Sequence, residues 1–106
     1  MYSSGSTAGD ITITNCTFNN LGTWAIMVNG AVNGSLTVDN CTFDTKDGVL
    51  KTLGGGITGD FTFTNNTLIG VKGHDGKSNQ IISVPVVGGT KTVSGNTLDG
   101  AAWTQN

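Results

Sequence analysis

The feature that most constrains this chain is an internal repeat. Four segments align without gaps at intervals of 25, 25 and 30 residues: GDITITNCTF from Gly9, GSLTVDNCTF from Gly34, GDFTFTNNTL from Gly59 and GTKTVSGNTL from Gly89. Two alignment columns hold only threonine, at positions 12, 37, 62 and 92 and at positions 17, 42, 67 and 97. A unit this short cannot bury an apolar face alone, whereas stacked units share a core, so the repeat predicts a stack.

Apolar and polar residues alternate at the start of each segment. Ile11 and Ile13 alternate with Thr12 and Thr14, which is the period of a strand with one buried face. The same inward positions in later repeats predict further core residues, which are Leu36, Val38, Phe61, Phe63 and Val93.

The alternation then slips by one residue, which indicates a bend. The residue at the slip is Asn15, Asn40, Asn65 or Gly95. Asn and Gly tolerate the left-handed backbone region better than other residues. We therefore predict a sharp structural corner at each of these four positions, with the corners stacked on one another.

A second strand is predicted after each corner, with two inward core residues per repeat. They are Cys16 and Phe18, Cys41 and Phe43, Asn66 and Leu68, and Asn96 and Leu98. Buried Asn needs partners, and stacked amides can bond one another along the stack. The two cysteines are expected as reduced, buried thiols, because parallel Cβ vectors suit a disulfide poorly.

A polar turn and an apolar run complete each repeat. The runs are WAIMV, VLKTL and IISVPVV, so each coil of about 25 residues is expected to contain three strands. The predicted fold class is all-β, a parallel β-helix or single-stranded β-solenoid. Its expected organisation is a polar segment or cap at 1–9, coils at 10–34, 35–59 and 60–89, and a partial coil at 90–106.

Composition excludes two classes of partner. Charged residues make up 11% of the chain, and the net charge is −2 with five Lys and no Arg. Binding to nucleic acid depends on clustered Lys and Arg, so no such partner is expected. No stretch approaches the roughly 20 apolar residues of a membrane helix, so no membrane insertion is expected.

The strand, corner and strand unit ITITNCTFNN resembles the repeat of right-handed parallel β-helix proteins of the pectate-lyase-like superfamily. The resemblance runs from Gly9 to about Gly100, and it implies a right-handed fragment of about three and a half coils. That superfamily is associated with polysaccharide lyases, hydrolases and esterases, and with adhesins, phage tailspikes and surface-layer proteins. Its lyases use an Arg base and its esterases an Arg beside paired Asp, whereas this chain contains no Arg.

The insertion GVKGHDGKSN in the third repeat carries the most chemistry. It holds the candidate catalytic residues Lys72, His74 and Asp75, since a His–Asp pair can serve as a base and its orienting group. His74, Asp75 and Lys77 are also candidate ligand-binding residues. The alternative interpretation is a solvated loop with ordinary charges.

Two further sets of residues have a functional and a structural interpretation. Trp24 and Trp103 are candidate ligand-binding residues because indole rings stack on sugars, although the first can pack in the core and the second can cap the terminal coil. Calcium can bind Asp oxygens, and the candidates are Asp10, Asp60 and the pair Asp44 and Asp47. Asp beside Gly is also common turn chemistry, and neither a metal site nor another cofactor is predicted.

The leading functional hypothesis is a non-catalytic structural or adhesive module of a secreted or cell-surface microbial protein. Its expected partners are glycans, or other chains that associate through open strand edges. One alternative is a fragment of a polysaccharide lyase or hydrolase, and another is a self-assembling scaffold or filament subunit. Fold alone does not decide among these hypotheses.

Overall fold

The computed structural model describes residues 2–4, 7–19, 24–53, 56–78 and 80–105. Within them the fold is all-β and mostly parallel. The strands are β1 (Tyr2–Ser4), β2 (Thr7–Ala8), β3 (Ile11–Thr14), β4 (Thr17–Asn19), β5 (Ile26–Asn29), β6 (Val32–Asn33), β7 (Leu36–Asp39), β8 (Thr42–Asp44), β9 (Leu50–Leu53), β10 (Phe61–Thr64), β11 (Thr67–Ile69), β12 (Ile82–Ser83), β13 (Lys91–Ser94), β14 (Asn96–Leu98) and β15 (Ala101–Trp103).

Three larger sheets collect equivalent strands from successive repeats. The first sheet has the order β13-β10-β7-β3, the second β15-β14-β11-β8-β4, and the third β1-β5-β9-β12. A short pair, β2 and β6, is continued by single parallel bridges from Val32 to Ile57 and from Ile57 to Val86. In the first sheet Ile11 lies opposite Leu36, and Phe61 lies between Leu36 and Lys91. The register predicted from the repeat is therefore confirmed.

The predicted corners have left-handed backbone conformations. The φ angles are 56° at Asn15, 55° at Asn40, 55° at Asn65 and 70° at Gly95. The side chains also interact between repeats, since Asn40 Nδ2 donates to Asn15 Oδ1 at 2.5 Å. Each corner lies between a strand of the first sheet and a strand of the second sheet, as the slip in alternation predicts.

The apolar core follows the inward columns of the repeat. The predicted core residues that are buried are Ile13, Leu36, Val38, Cys41, Phe43, Phe61, Phe63, Asn66, Leu68 and Asn96. Aromatic rings stack between repeats: the centroids of Phe18 and Phe43 are 5.0 Å apart with an interplanar angle of 5°. The predictions for these positions are confirmed.

Core residues of the first and last repeats are less buried than the repeat predicts. Ile11, Phe18, Val93 and Leu98 pack against the core but are only partly buried. Cys16 is exposed, whereas its equivalent Cys41 is buried, so the prediction that Cys16 is a core residue was wrong. Cys16 follows β3 and precedes β4, which are edge strands, and no described neighbouring repeat covers this position on its outer side.

The buried Asn column bonds to backbone rather than to itself. Asn66 Oδ1 accepts the Cys41 backbone N–H at 2.8 Å, and Asn66 Nδ2 donates to the Val38 carbonyl at 3.0 Å. Asn96 makes the same two contacts one repeat later, with the Asn66 N–H at 2.9 Å and the Phe63 carbonyl at 2.9 Å. The prediction of amides bonded to one another was wrong, because each amide satisfies two backbone groups of the preceding repeat.

The last two described strands form an antiparallel hairpin. The strands β14 and β15 pair antiparallel, with Leu98 opposite Ala101. The two residues between them, Asp99 and Gly100, have φ angles of 49° and 87°, and two residues with positive φ are typical of tight hairpin turns. The sequence predicted only a partial coil at 90–106, without a hairpin, so β15 is an addition to that prediction.

Candidate ligand groove and His74 cluster

The insertion of the third repeat forms a compact turn that positions His74. A short 3-10 turn covers His74–Gly76. The His74 N–H donates to the Gln80 carbonyl at 3.0 Å, and the Lys77 N–H donates to the His74 carbonyl at 3.0 Å. The backbone of Lys72 donates to the Lys46 carbonyl at 3.0 Å, which ties the insertion to the turn of the preceding repeat.

The imidazole of His74 lies between two carboxylates. Its Nδ1 is 2.9 Å from Asp47 Oδ1, and its Nε2 is 3.6 Å from Asp75 Oδ2. A ring held at Nδ1 by a carboxylate is a common arrangement for an oriented general base. A base also needs its other nitrogen directed at a substrate, and here that nitrogen faces Asp75. The geometry therefore fits a hydrogen-bonded anchor that ties the insertion to Asp47.

The candidate Trp24 lies underneath this cluster. Its residue surface is 5% exposed, and its ring centroid is 5.5 Å from that of His74 with an interplanar angle of 27°. Lys51 Nζ lies 5.4 Å from the ring centroid, within the range of a cation–π contact. The covered indole presents no free face to a sugar, so Trp24 packs rather than binds.

Close approach at Gly48 explains how the indole is seated. A Cβ built on Gly48 would lie 2.3 Å from Trp24 Cε3, which is far inside van der Waals contact. Glycine at this position therefore lets the ring lie directly on the backbone. The Gly48 N–H donates to Asp47 Oδ1 at 2.7 Å. Asp47 therefore contacts both His74 and the glycine on which the Trp24 ring packs.

The sequence pattern predicted that His74 pairs with Asp75, but it did not predict the contact of His74 with Asp47. Asp47 was singled out only as a calcium candidate, because it lies 27 residues before His74 and no local pattern joins them. The detectable signal is the repeat itself, which places the turn of the second repeat beside the turn of the third. The side chains of Lys72, Asp75 and Lys77 are exposed on the same insertion.

The other calcium candidates are bonded to backbone. Asp10 Oδ1 accepts the Ser35 N–H at 2.9 Å, and Asp60 Oδ1 accepts the Thr90 N–H at 2.9 Å. Asp44 is exposed at the end of β8. Across the described ranges, no three His, Cys, Asp or Glu residues are grouped closely enough to hold a metal ion.

Trp103 differs from Trp24 because it lines an open groove at the C-terminal end. It is partly buried, and its ring meets Phe63 edge-on at a centroid distance of 6.2 Å. The groove has a volume of about 370 Å³. It is lined by Val93, Ser94, Gly95, Asn96, Ala102, Trp103 and Thr104.

A second groove continues along the same edge. Its volume is about 330 Å³, and its lining residues are Lys91, Val93, Thr104 and Gln105. The two grooves share Val93 and Thr104, so together they follow β13 along its outer side. Volumes of this size lie at the lower end of the range for ligand sites.

The two thiols have different environments. Burial raises the pKa of the Cys41 thiol, which keeps this group protonated and unreactive near neutral pH. Both cysteines are free, and Cys16 is the exposed one.

Comparison with known proteins adds no family to this geometry. No family model, curated protein or solved structure matches the chain. Among the described residues, none of the helical segments has the length and apolar character needed to span a bilayer.

Proposed function

We propose that this chain is a right-handed parallel β-helix module with a structural or adhesive role in a secreted or cell-surface microbial protein. The architecture related to the pectate-lyase-like superfamily is supported by parallel pairing at offsets of 25 and 30 residues. In the first sheet, for example, Thr37 lies opposite Thr12 and Thr62, and Thr92 lies opposite Thr62. Three sheets that each take one strand per repeat are what a wound chain requires.

The structural half of the proposal is supported by where polar side chains are used. Asp10 binds the backbone of Ser35, Ser35 Oγ accepts the Asp60 N–H at 3.2 Å, and Asp60 binds the backbone of Thr90. The buried Asn66 and Asn96 add a second set of bonds between repeats. These groups join repeat to repeat, and such contacts are what hold a stack of short units together.

The adhesive half depends on one observation, the two threonine rows on the strands. Thr12, Thr37, Thr62 and Thr92 lie opposite one another in the first sheet, and Thr17, Thr42, Thr67 and Thr97 do so in the second. Adjacent parallel strands are about 4.8 Å apart. Each row therefore offers hydroxyl groups at regular spacing, and we propose glycans as the ligand class because sugars exchange hydrogen bonds with such groups.

A glycan array tests the adhesive half, followed by titration of any bound glycan. A variant with valine at positions 12, 37, 62 and 92 removes one hydroxyl row but keeps strand-forming, β-branched side chains. The matched control carries valine at positions 17, 42, 67 and 97. We expect one row, and not both, to account for binding, with a loss of at least tenfold in affinity. Absence of glycan binding by the unmodified protein would exclude the adhesive half and leave the structural half.

A self-assembling scaffold is the second candidate, and the outer edges of β3 and β4 favour it. Among the described residues, these strands pair on one side only, β3 with β7 and β4 with β8. Exposed strand edges present unpaired backbone groups that can pair with another chain. Light scattering over a range of protein concentrations tests this candidate, and a mass that stays at one chain throughout would refute it.

A further inference from the structure

The last strands of the three sheets are covered to different extents at the C-terminal end. In the second sheet, β15 pairs along β14. In the third sheet, the Gln105 side chain bonds both backbone groups of Ile82 in β12. It accepts the Ile82 N–H at 3.1 Å and donates to the Ile82 carbonyl at 2.5 Å. In the first sheet, β13 is the outermost described strand, and β10 is the only described strand with which it pairs. Among the described residues, β13 therefore has the one long edge at this end that no strand covers.

The backbone groups that β13 directs outward can be identified from its pairing. Phe61 N–H donates to the Thr90 carbonyl at 2.9 Å, and Asn65 N–H donates to the Ser94 carbonyl at 3.2 Å. Because backbone groups of successive strand residues point to opposite edges, Lys91 and Val93 direct theirs away from β10. Thr104 Oγ1 confirms this direction, since it donates to the Val93 carbonyl at 3.1 Å.

The outward edge coincides with the grooves. Lys91 and Val93 line one groove, and Val93 continues into the groove that Trp103 lines. The backbone donors and acceptors of an edge strand therefore lie in a recess with an apolar wall. Affinity in strand addition comes from such main-chain groups, and specificity comes from pockets for alternate side chains.

We propose that the β13 edge binds a single extended peptide segment of a partner protein, which adds as a fifth strand to the first sheet. The neighbouring sheets restrict the occupant to one strand. A second copy stacked end to end would need the edge of β14 as well, and β15 already occupies that edge. A peptide strand needs only the groove along β13, where one of its N–H groups would replace the Thr104 hydroxyl at the Val93 carbonyl.

The side chains of β13 define the chemistry of the peptide. Lys91 occupies the column that holds Ile11, Leu36 and Phe61 in the other repeats, so a directly opposite residue meets a positive charge at the end of an apolar column. Opposite charges across neighbouring strands are favourable and like charges are not. Two residues further along the bound peptide, the side chain opposite Val93 contacts Val93 and the groove wall formed by Trp103. The expected motif is therefore an acidic residue, any residue and an apolar residue.

Binding of synthetic peptides tests the proposal by fluorescence anisotropy. The probe is an end-capped peptide of sequence Thr-Asp-Thr-Val-Thr-Asn with a dye, and the matched probe has Lys in place of its Asp. We expect the unmodified protein to bind the acidic peptide at least tenfold more tightly than the basic one. The variant Lys91→Thr should bind both peptides with similar affinity, because it keeps the backbone donor and loses the charge. The variant Lys91→Pro should lose binding of both, because proline removes the N–H at this edge.

A backbone-modified probe keeps the test decisive if Lys91→Pro does not fold. Peptides methylated at a single backbone nitrogen should lose binding at alternate positions only, because alternate N–H groups of an added strand face β13. Equal loss at every position, or no loss, would overturn the proposal. It would also be overturned if neither peptide bound, if a soluble glycan occupied the groove in their place, or if light scattering showed two copies joined through β13. Each of these outcomes leaves the glycan proposal for the threonine rows to its own test.

Discussion

The buried amide of Asn66 offers the sharpest test of how the repeats are held together. In the variant Asn66→Ala, the Cys41 N–H and the Val38 carbonyl each lose the partner that now lies within 3.0 Å. Asn66 is 1% exposed, so water does not reach these groups without local opening. An unsatisfied buried donor or acceptor costs about 1–3 kcal/mol, which gives a loss of about 2–6 kcal/mol for the pair.

That loss is a substantial fraction of the free energy of unfolding of an ordinary domain, which is about 5–15 kcal/mol. One kcal/mol shifts the melting temperature of a domain of this size by about 4–8 °C, so a fall of at least about 8 °C is expected. Urea and thermal denaturation followed by circular dichroism measure it. The control is Thr67→Ala, since Thr67 is exposed and adjacent, and its expected change is within about 0.5 kcal/mol.

The comparison with Asn96→Ala sharpens the result. Asn96 makes the equivalent bonds to the Asn66 N–H and the Phe63 carbonyl and is 2% exposed, so a similar loss is expected. A loss below about 1 kcal/mol for Asn66→Ala, with the fold retained, would refute the reasoning that these amides join the repeats.

Three substitutions and one labelling experiment have further expected outcomes, and the substitutions include stabilising and destabilising ones. Gly48→Ala should cost about 1–3 kcal/mol, because the added methyl group overlaps the Trp24 ring; a red shift of tryptophan emission would report the displaced indole. Thr52→Val should raise stability by up to about 1 kcal/mol, since the buried Thr52 hydroxyl has no hydrogen-bond partner among the described residues, and an unchanged or lower urea midpoint would contradict this. Cys41→Asn should also stabilise the protein, because an amide at this position can extend the column of buried Asn residues by one repeat. A thiol makes the equivalent contact only weakly, since Cys41 Sγ lies 3.6 Å from the Ile13 carbonyl oxygen. Calorimetry measures the shift in melting temperature. A thiol reagent near neutral pH should label Cys16 in the native protein and Cys41 only after denaturation. Because burial raises the pKa of the Cys41 thiol above its ordinary value, the contribution of the neutral thiol to stability is present at lower pH and is lost as the pH rises through the folded-state pKa.

The parts of the fold that the sequence predicts are those with local signals. Alternation at Ile11 and Ile13 and the slip at Asn15 lie within five residues of one another, and they recur in register. A strand face and a left-handed corner depend mainly on the residues that form them, and so both were predicted correctly. The hairpin turn at Asp99 and Gly100 has an equally local signal, although the repeat frame concealed it.

The parts that the sequence did not predict depend on contacts between repeats and on the ends of the stack. The pairing of His74 with Asp47 spans 27 residues, and an insertion obscures the alignment of the two turns. The exposure of Cys16 results from its position at an edge, which a column of equivalent residues cannot reveal. The groove beside Trp103 likewise exists only because β15 folds back along β14.

The column of Asp10, Ser35, Asp60 and Thr90 has a consequence for how such a chain can change in length. Each side-chain oxygen serves the N–H of the following unit, with offsets of 25, 25 and 30 residues. If residues 35–59 were duplicated after position 59, a side-chain oxygen of the inserted unit would accept the backbone N–H of the unit after it. The backbone N–H of the inserted unit would in turn donate to the side-chain oxygen of the unit before it. Gain or loss of whole units therefore preserves every junction of this kind, whereas a change by part of a unit breaks one.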